Sequence, residues 1–270
     1  MKVQLAQIPS DDGVTLPNLA RVLAVIEAAD ASTDLIVFPE TCLMGFPSAD
    51  EVGQVAEAES GLTLQAVLRA VQARGISVVV GFAEADAGHY YNTTVLLSPD
   101  GIALKYRKTH LWASDVGVFT PGQQLVTGLW KGIRVGILIC FDIEFPENAR
   151  ALAQQGAELL LVTNANMDPF GPVHRALIVA RAMENQVFAV MANRCGSGGD
   201  LTFAGESVVV SPTGRVIAAM GRDEGTLNVD IDLAEVQASR TDYSYLAQRR
   251  IPLAAELTRL TGTQTALLIP

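Results

Sequence analysis

Apolar positions along the chain switch repeatedly between a helical and an extended period. Leu16, Leu19, Leu23 and Ile26 fall at i, i+3, i+7 and i+10, and Pro17 suits a first helical turn, so the spacing predicts a helix there. Leu35-Ile-Val-Phe38 then reads as a short buried strand. Leu64, Val67, Leu68 and Val71 repeat the helical spacing, Gly75 ends it, and Ile76-Ser-Val-Val-Val-Gly81 is the next strand. This alternation predicts an α/β chain. A hairpin is expected over 95–104, where Pro99-Asp100-Gly101 supplies turn chemistry between two apolar runs.

The same pattern returns in the second half. Val208-Val-Val-Ser-Pro-Thr-Gly-Arg-Val-Ile217 repeats the hairpin, after strands over 133–139, 159–163 and 187–192 and helices over about 145–155 and 173–185. No Pro/Ser-rich linker separates the halves, so residues 1–270 are read as one domain of two pseudo-equivalent halves, with two sheets face to face and helices outside. The tail from about residue 243 is read as an arm that packs on this body or on a second subunit.

With 270 residues, 49% of them hydrophobic, the chain has ample material for a core. Its net charge of -10, with no basic run, argues against nucleic acid or an anionic membrane surface as partner. No apolar stretch approaches the roughly 18 residues of a membrane span, and the start is too polar for a secretory signal, so a soluble cytoplasmic protein is expected. Cys42, Cys140 and Cys195 are widely spaced, without a CxxC pair or histidines at zinc spacing, and are read as free thiols.

Candidate chemistry sits where strands end. Glu40 follows the strand at Leu35, Lys108 follows a hairpin strand, and Cys140 closes the apolar run Gly136-Ile-Leu-Ile-Cys140. A carboxylate to take a thiol proton, a thiolate to attack a carbonyl or nitrile carbon, and an ammonium to hold the oxyanion make up an acyl-transfer set. Each residue alone has a plainer reading: a buried hydrophobe for Cys140, a loop carboxylate for Glu40, solvated surface for Lys108 beside Arg107.

Their contexts raise the stakes. Phe38-Pro-Glu40, Tyr106-Arg-Lys108-Thr-His-Leu and Gly136-Ile-Leu-Ile-Cys140-Phe-Asp with Phe145-Pro-Glu147, in that order and separation, resemble the glutamate, lysine and cysteine motifs of the nitrilase-superfamily carbon–nitrogen hydrolases. Tyr91-Asn92, Phe119-Thr-Pro-Gly122, Thr163-Asn-Ala165, Arg181-Ala-Met-Glu-Asn185 and Gly205-Glu-Ser207 extend the likeness over nearly the whole chain. The resemblance implies a four-layer αββα sandwich and, commonly, a homodimer or higher homo-oligomer. It implies Cys140 as nucleophile, Glu40 as general base, Lys108 with the Phe141 backbone N–H as oxyanion donors, and a thioester intermediate. Where many relatives carry a second glutamate after the lysine, this chain has Asp115, read either as positioning substrate or Lys108, or as a solvated loop residue. Among the carboxylates after the nucleophile, Glu147 is expected to order the turn.

With Phe-Asp after the cysteine, where nitrile-hydrolysing relatives show Trp-Glu, the resemblance points to the amidase and carbamoylase branches, and Cys140-Phe-Asp-Ile-Glu-Phe-Pro-Glu-Asn148 looks most like amidases of small aliphatic or ω-amides. An N-carbamoyl amino acid is the runner-up and needs a basic anchor, for which Arg175 and Arg194 are candidates. A binding or regulatory subunit of this fold would lack a member of the triad, and none is missing. Acyl transfer to an amine instead of water uses the same thioester. No metal or organic cofactor is required. Trp112, Phe141, Asn164, Ala165, Met167 and the loop at 195–201 are expected to wall the pocket. Cys42 and Cys195 are read as packing and Gly196-Ser-Gly-Gly199 as a mobile or substrate-facing loop; His89, His110 and His174 lack metal spacing, and His110 is read as a structural neighbour of the lysine strand.

Overall fold

The computed structural model describes residues 1–251, 257–259 and 263–269. The first half runs β1 (Lys2–Gln7), α1 (Leu16–Ala28), β2 (Leu35–Val37), α2 (Val52–Val55), α3 (Leu62–Arg74), β3 (Ser77–Asp86), β4 (His89–Ser98) and β5 (Gly101–Arg107). The second runs β6 (Gln124–Trp130), β7 (Ile133–Ile139), a 3-10 helix (Cys140–Glu144), α4 (Pro146–Gln154), β8 (Leu159–Asn164), α5 (Gly171–Asn185), β9 (Phe188–Asn193), β10 (Cys195–Gly198), β11 (Leu201–Ala204), β12 (Val208–Val210) and β13 (Val216–Ala219). β14 (Gly225–Asp230), α6 (Ala234–Ser239), β15 (Leu257–Arg259) and β16 (Thr265–Leu268) complete the described elements.

Two sheets form, ordered β14-β1-β2-β3-β4-β5 and β13-β12-β9-β8-β7-β6-β16-β15. Five strands of each half correspond. β1, β2 and β3 are parallel and lead into the antiparallel β4 and β5, as β7, β8 and β9 lead into β12 and β13. Because side chains alternate faces along a strand, Leu35, Val37, Val79 and Leu96 point inward and join Ile137, Leu159, Leu161 and Val190 in the core between the sheets. Ile36, Val78 and Val80 point outward onto Val22 and Ile26 of α1 and Val67 and Val71 of α3. Apolar residues on both faces are why these strands read as unbroken runs. Each such side chain contributes about 1.5–3 kcal/mol on burial.

Gly75 does end α3, at φ +67 with its N–H on the Val71 carbonyl. The stripe expected on α1 is rotated: Asn18, Val22 and Ile26 are buried, whereas Leu16 is 77% exposed. Asn18 explains the shift, since its side chain bonds Asp11 N–H and the Asp11 and Val14 carbonyls and anchors the loop before the helix. The tail returns to the body over 263–269, where β16 adds to the free edge of β6 and Ala266 is buried. The parts of that arm at 252–256, 260–262 and 270 lie outside the described residues.

Candidate active site

The ends of β2, β5, β7 and β8 meet at one rim of the sandwich, tied across the sheets by a buried hydrogen bond between Thr94 and Thr163 (2.8 Å). Just past β2, the chain turns sharply at Thr41, φ +43, and packs so closely on β3 that a Cβ on Gly81 would lie 2.5 Å from the Thr41 nitrogen. That turn carries Glu40, whose N–H bonds the Asn164 carbonyl at the end of β8 (3.3 Å). Lys108 follows β5 and is fixed through its own backbone, N–H to Asn92 O (2.9 Å) and C=O from Gly122 N–H (2.8 Å). Cys140 leaves β7 at φ +45, a left-handed conformation that costs a non-glycine residue about 1–3 kcal/mol and turns its thiol out of the sheet.

The strained turn is held by Asp142, which is fully buried. Its carboxylate accepts from Ile139 N–H (3.1 Å), Tyr106 Oη (2.9 Å), Thr109 Oγ1 (2.8 Å) and His110 N–H (2.9 Å). The segment Tyr106-Arg-Lys-Thr-His110 is thereby accounted for residue by residue. Tyr106, Thr109 and His110 grip the cysteine turn, and Arg107 bonds Glu84 (2.7 Å) while stacking on Tyr91 (3.7 Å). That leaves Lys108 to face the site. His110 also stacks on Phe145 at 3.9 Å.

Lys108, 1% exposed, places its ammonium between Glu40 Oε1 (2.7 Å) and Asp115 Oδ2 (2.6 Å). Burial alone disfavours that charge, but the two carboxylates and the neighbouring Cys140 sulfur more than offset it and hold the lysine pKa well above its ordinary value. Asn92 Nδ2 donates to the same Glu40 oxygen at 2.8 Å. Glu40 Oε2 is buried without a hydrogen-bond partner among the described residues. Burial raises the Glu40 pKa, with Asp115 adding to it and Lys108 opposing. Cys140 is 8% exposed, and burial next to the Glu40 carboxylate pushes its thiol well above the ordinary value, with Lys108 and the Ala165 N–H opposing.

Above these groups lies a cavity of about 110 Å³ whose walls include Trp112, Phe141, Ala165, Met167, Phe170 and Phe203. Trp112 meets Phe141 and Phe170 edge to face, at 5.0 and 5.6 Å between centroids. Among the described residues no group of three or more potential metal ligands occurs, and no helix is long and apolar enough to cross a membrane.

Residues 2–241 match the family model described as carbon-nitrogen hydrolase. The chain belongs to the carbon–nitrogen hydrolase family. This hydrolase is 53% identical to an (R)-stereoselective amidase of a Pseudomonas species over 270 residues, covering 100% of this chain and 98% of that protein. It is 32% identical to an omega-amidase of Homo sapiens over 269 residues, 94% of this chain and 95% of that one. Its fold matches the crystal structure of an amidase from Nesterenkonia with a TM-score of 0.83 at 30% identity, covering 93% of both chains. A variant of that amidase, at a TM-score of 0.82 and 30% identity over 93% of this chain and 94% of that one, carries the acetamide moiety of fluoroacetamide covalently at its active-site cysteine. The chain is a nitrilase-superfamily amidase with the α/β sandwich expected of it, a hydrolase of amide carbon–nitrogen bonds.

Of the residues singled out from the sequence of this hydrolase, Glu40, Lys108, Cys140 and Asp115 converge, and Trp112, Phe141, Ala165 and Met167 line the cavity. Asp115 is 2% exposed and touches Lys108 directly, so the solvated-loop alternative falls: the loop folds inward because Trp112 N–H bonds its carboxylate (3.1 Å). Asn164 does not line the cavity; it is fully buried behind it, with its side chain on His174 (3.0 Å) and Met191 (3.4 Å). Glu147 is exposed, and the turn after Cys140 is ordered instead by Asp142 and by Asn148, which bonds the Asp142 carbonyl (3.0 Å). From the 195–201 segment only Leu201 reaches the cavity wall.

Cys42 and Cys195 are buried, with burial pushing their thiols up to about 12 and about 11. Asp12, Phe46, Phe170, His174 and Phe203 were not legible as wall residues. Phe170 and His174 do sit four apart at the start of α5, a helical spacing that points both one way, whereas Asp12 and Phe46 lie in loops without period.

Proposed function

We propose that this amidase hydrolyses the primary amide of a small acyl group to carboxylic acid and ammonia, through a thioester on Cys140. The observation that carries the reading is the convergence of Cys140 with the Lys108 ammonium between Glu40 and Asp115, at the floor of a mostly apolar cavity. The raised thiol pKa bears on the order of events, since it leaves little preformed thiolate. Glu40 Oε2, free of other partners among the described residues, takes the thiol proton as Sγ attacks the amide carbon. The C=O electrons move onto oxygen, which Lys108 and the Phe141 N–H stabilise; Phe141 sits at the start of the 3-10 helix, where backbone N–H groups lack intrahelical acceptors. Glu40 then delivers its proton to the departing nitrogen, and ammonia leaves. Water attacks the thioester as its proton passes to Glu40, and collapse of the second tetrahedral intermediate breaks C–S and returns that proton to sulfur.

Asp115 acts on the reaction through Lys108 as a positioning residue. With Glu40 it gives the lysine two acceptors at 2.7 and 2.6 Å, which fix the ammonium where an oxyanion develops.

Cavity size and charge narrow the acyl group. A dry cavity of about 150 Å³ accommodates benzene, so about 110 Å³ suits an acyl group of about four or five heavy atoms. Among the described residues lining the cavity the one lysine or arginine is Lys108, already held by Glu40 and Asp115. Arg194 is fully buried and committed to Asp12 (2.6 Å) and Ser10 O (2.5 Å), and Arg175 bonds the Glu206 carbonyl (3.0 Å). The N-carbamoyl amino acid reading therefore loses both of its candidate anchors, and ω-amides bearing a free carboxylate are disfavoured by the same argument. The (R)-stereoselectivity named for the Pseudomonas relative supports an R preference when the acyl group has a stereocentre. Ammonia release across aliphatic amides, ω-amides, N-carbamoyl amino acids and nitriles, by the wild type and Cys140→Ala, tests the proposal. Cysteine-dependent release from aliphatic amides is expected, and equal release by both proteins would refute it.

A further inference from the structure

Resting on the amidase reading of the Cys140 cavity, we propose that Glu144 selects amides whose acyl group carries a protonated amine. Glu144 ends the same 3-10 helix that Cys140 begins, so nucleophile and carboxylate share one short element, and both line the cavity. At about 2 Å of rise per residue, that helix sets them roughly one small acyl group apart.

What distinguishes Glu144 from the other acids of the cavity is its lack of a compensating cation among the described residues. Asp12 is held by the Arg194 guanidinium at 2.6 and 3.2 Å. Glu40 and Asp115 share Lys108. Among the described residues the one hydrogen-bond or ion-pair partner of the Glu144 side chain is His174, with Nε2 at 3.1 Å from Oε1. Burial, with Lys108 adding to it, pushes that imidazole down to about 4, so at neutral pH it brings no charge to Glu144, and its single N–H lies between Asn164 Oδ1 (3.0 Å) and Glu144 Oε1. The nearby Arg181 is spent elsewhere, on the Ile143 and Glu144 backbone carbonyls (2.8 and 3.2 Å) and on Glu184 (2.8 Å).

The cavity therefore holds an excess carboxylate at Lys108, on the floor where the scissile amide binds, and a second, Glu144, four residues along the 3-10 helix. Burial raises the Glu144 carboxyl above its ordinary value, and a neighbouring cation would hold it in its charged form. Glu144 is 27% exposed, so its carboxylate is open to a ligand and still hydrated without one. A cationic substituent gains attraction inside low-dielectric aromatic walls, and an anionic one is repelled, which is selectivity by charge.

Butanamide (neutral) and 3-aminopropanamide (cationic at pH 7) have nearly equal shape and separate charge from size, and succinamate (anionic), two heavy atoms larger, is compared between wild type and variant so that its size cancels. In the wild type, kcat/KM for 3-aminopropanamide should exceed that for butanamide by about tenfold or more, a difference of about 1.4 kcal/mol, and succinamate should be the poorest. In Glu144→Gln, which keeps the side chain's shape, the cationic-to-neutral ratio should fall about tenfold toward one and the anionic-to-neutral ratio should rise. Using ratios within one variant cancels general damage. Should that variant misfold, n-propylamine should inhibit wild-type butanamide hydrolysis at concentrations about tenfold below those needed for 1-propanol.

Cysteine-dependent butanamide turnover with no cationic preference would overturn the role of Glu144 and leave the amidase reading standing, as would a preference that Glu144→Gln does not diminish. Absence of cysteine-dependent turnover of all three amides would overturn both.

Discussion

Replacing Asp115 by Asn keeps the side chain's shape and removes one of the two charges on Lys108. The ammonium is 1% exposed and held at 2.6 Å by Asp115 and 2.7 Å by Glu40. A hydrogen bond to a charged group contributes about 1.5–3 kcal/mol, so a loosened ammonium lowers kcat/KM about 10- to 150-fold. Breaking a buried pair costs more when it strands a charge, but Glu40 still neutralises Lys108, so Asp115→Asn should fold, with Tm lowered by only several degrees. The pH profile separates a role in the site from a structural one. Asp115 is among the groups that raise the Glu40 pKa. Glu40 must be ionised to take the thiol proton, so activity falls as pH drops through its pKa, and lowering that pKa moves the acid limb to lower pH. Ammonia release from a small amide between pH 4 and 9 reads both effects. A variant with wild-type kcat/KM and an unmoved acid limb would refute the role given to Asp115.

Glu40→Gln should fold like the wild type by circular dichroism and lose about 10²–10⁴-fold in kcat, the usual contribution of a general base; substantial retained turnover would reject that assignment. Acid should destabilise the protein in two windows. His174 is depressed from 6.5 to about 4 by burial, so the unfolded chain takes up its proton first and stability falls between those values. Glu84 is depressed from 4.5 to about 2, burial being outweighed by hydrogen bonds from Arg107, Thr93 and Lys105, so its contribution is lost over that lower range. Each window is worth at most about 3 kcal/mol. Urea midpoints measured against pH check this, and Glu84→Gln should abolish the lower window alone.

Much of the fold was legible because buried parallel strands announce themselves as continuous apolar runs, and the expected strand over 133–139 and helix over 173–185 agree closely with β7 and α5. Helix faces were less legible. On α1 the polar Asn18 takes a buried position that an apolar count assigns to leucine. The peripheral β14 and the β10–β11 ribbon carry weak patterns, since they are partly exposed and take their place from pairing with β1 and with each other. At the site, residues adjacent to strand ends could be found because short turns leave them little freedom. Asp12 and Phe46 could not, because loop closure brings them to the cavity from positions without period. Turn ordering was expected of Glu147, whereas four donors converge on Asp142 and make it the clamp of the cysteine turn.

The central claim is a thioester on Cys140, and the most direct measurement is intact mass and peptide mapping of Glu40→Gln and wild-type protein quenched during turnover of butanamide, with ammonia release followed in parallel. The account predicts a butanoyl group on the peptide containing Cys140 in quenched wild-type protein, slower acylation and ammonia release in Glu40→Gln, and no adduct or ammonia from Cys140→Ala. Ammonia release by Cys140→Ala at the wild-type rate, or acylation at Cys42 or Cys195 instead, would contradict it.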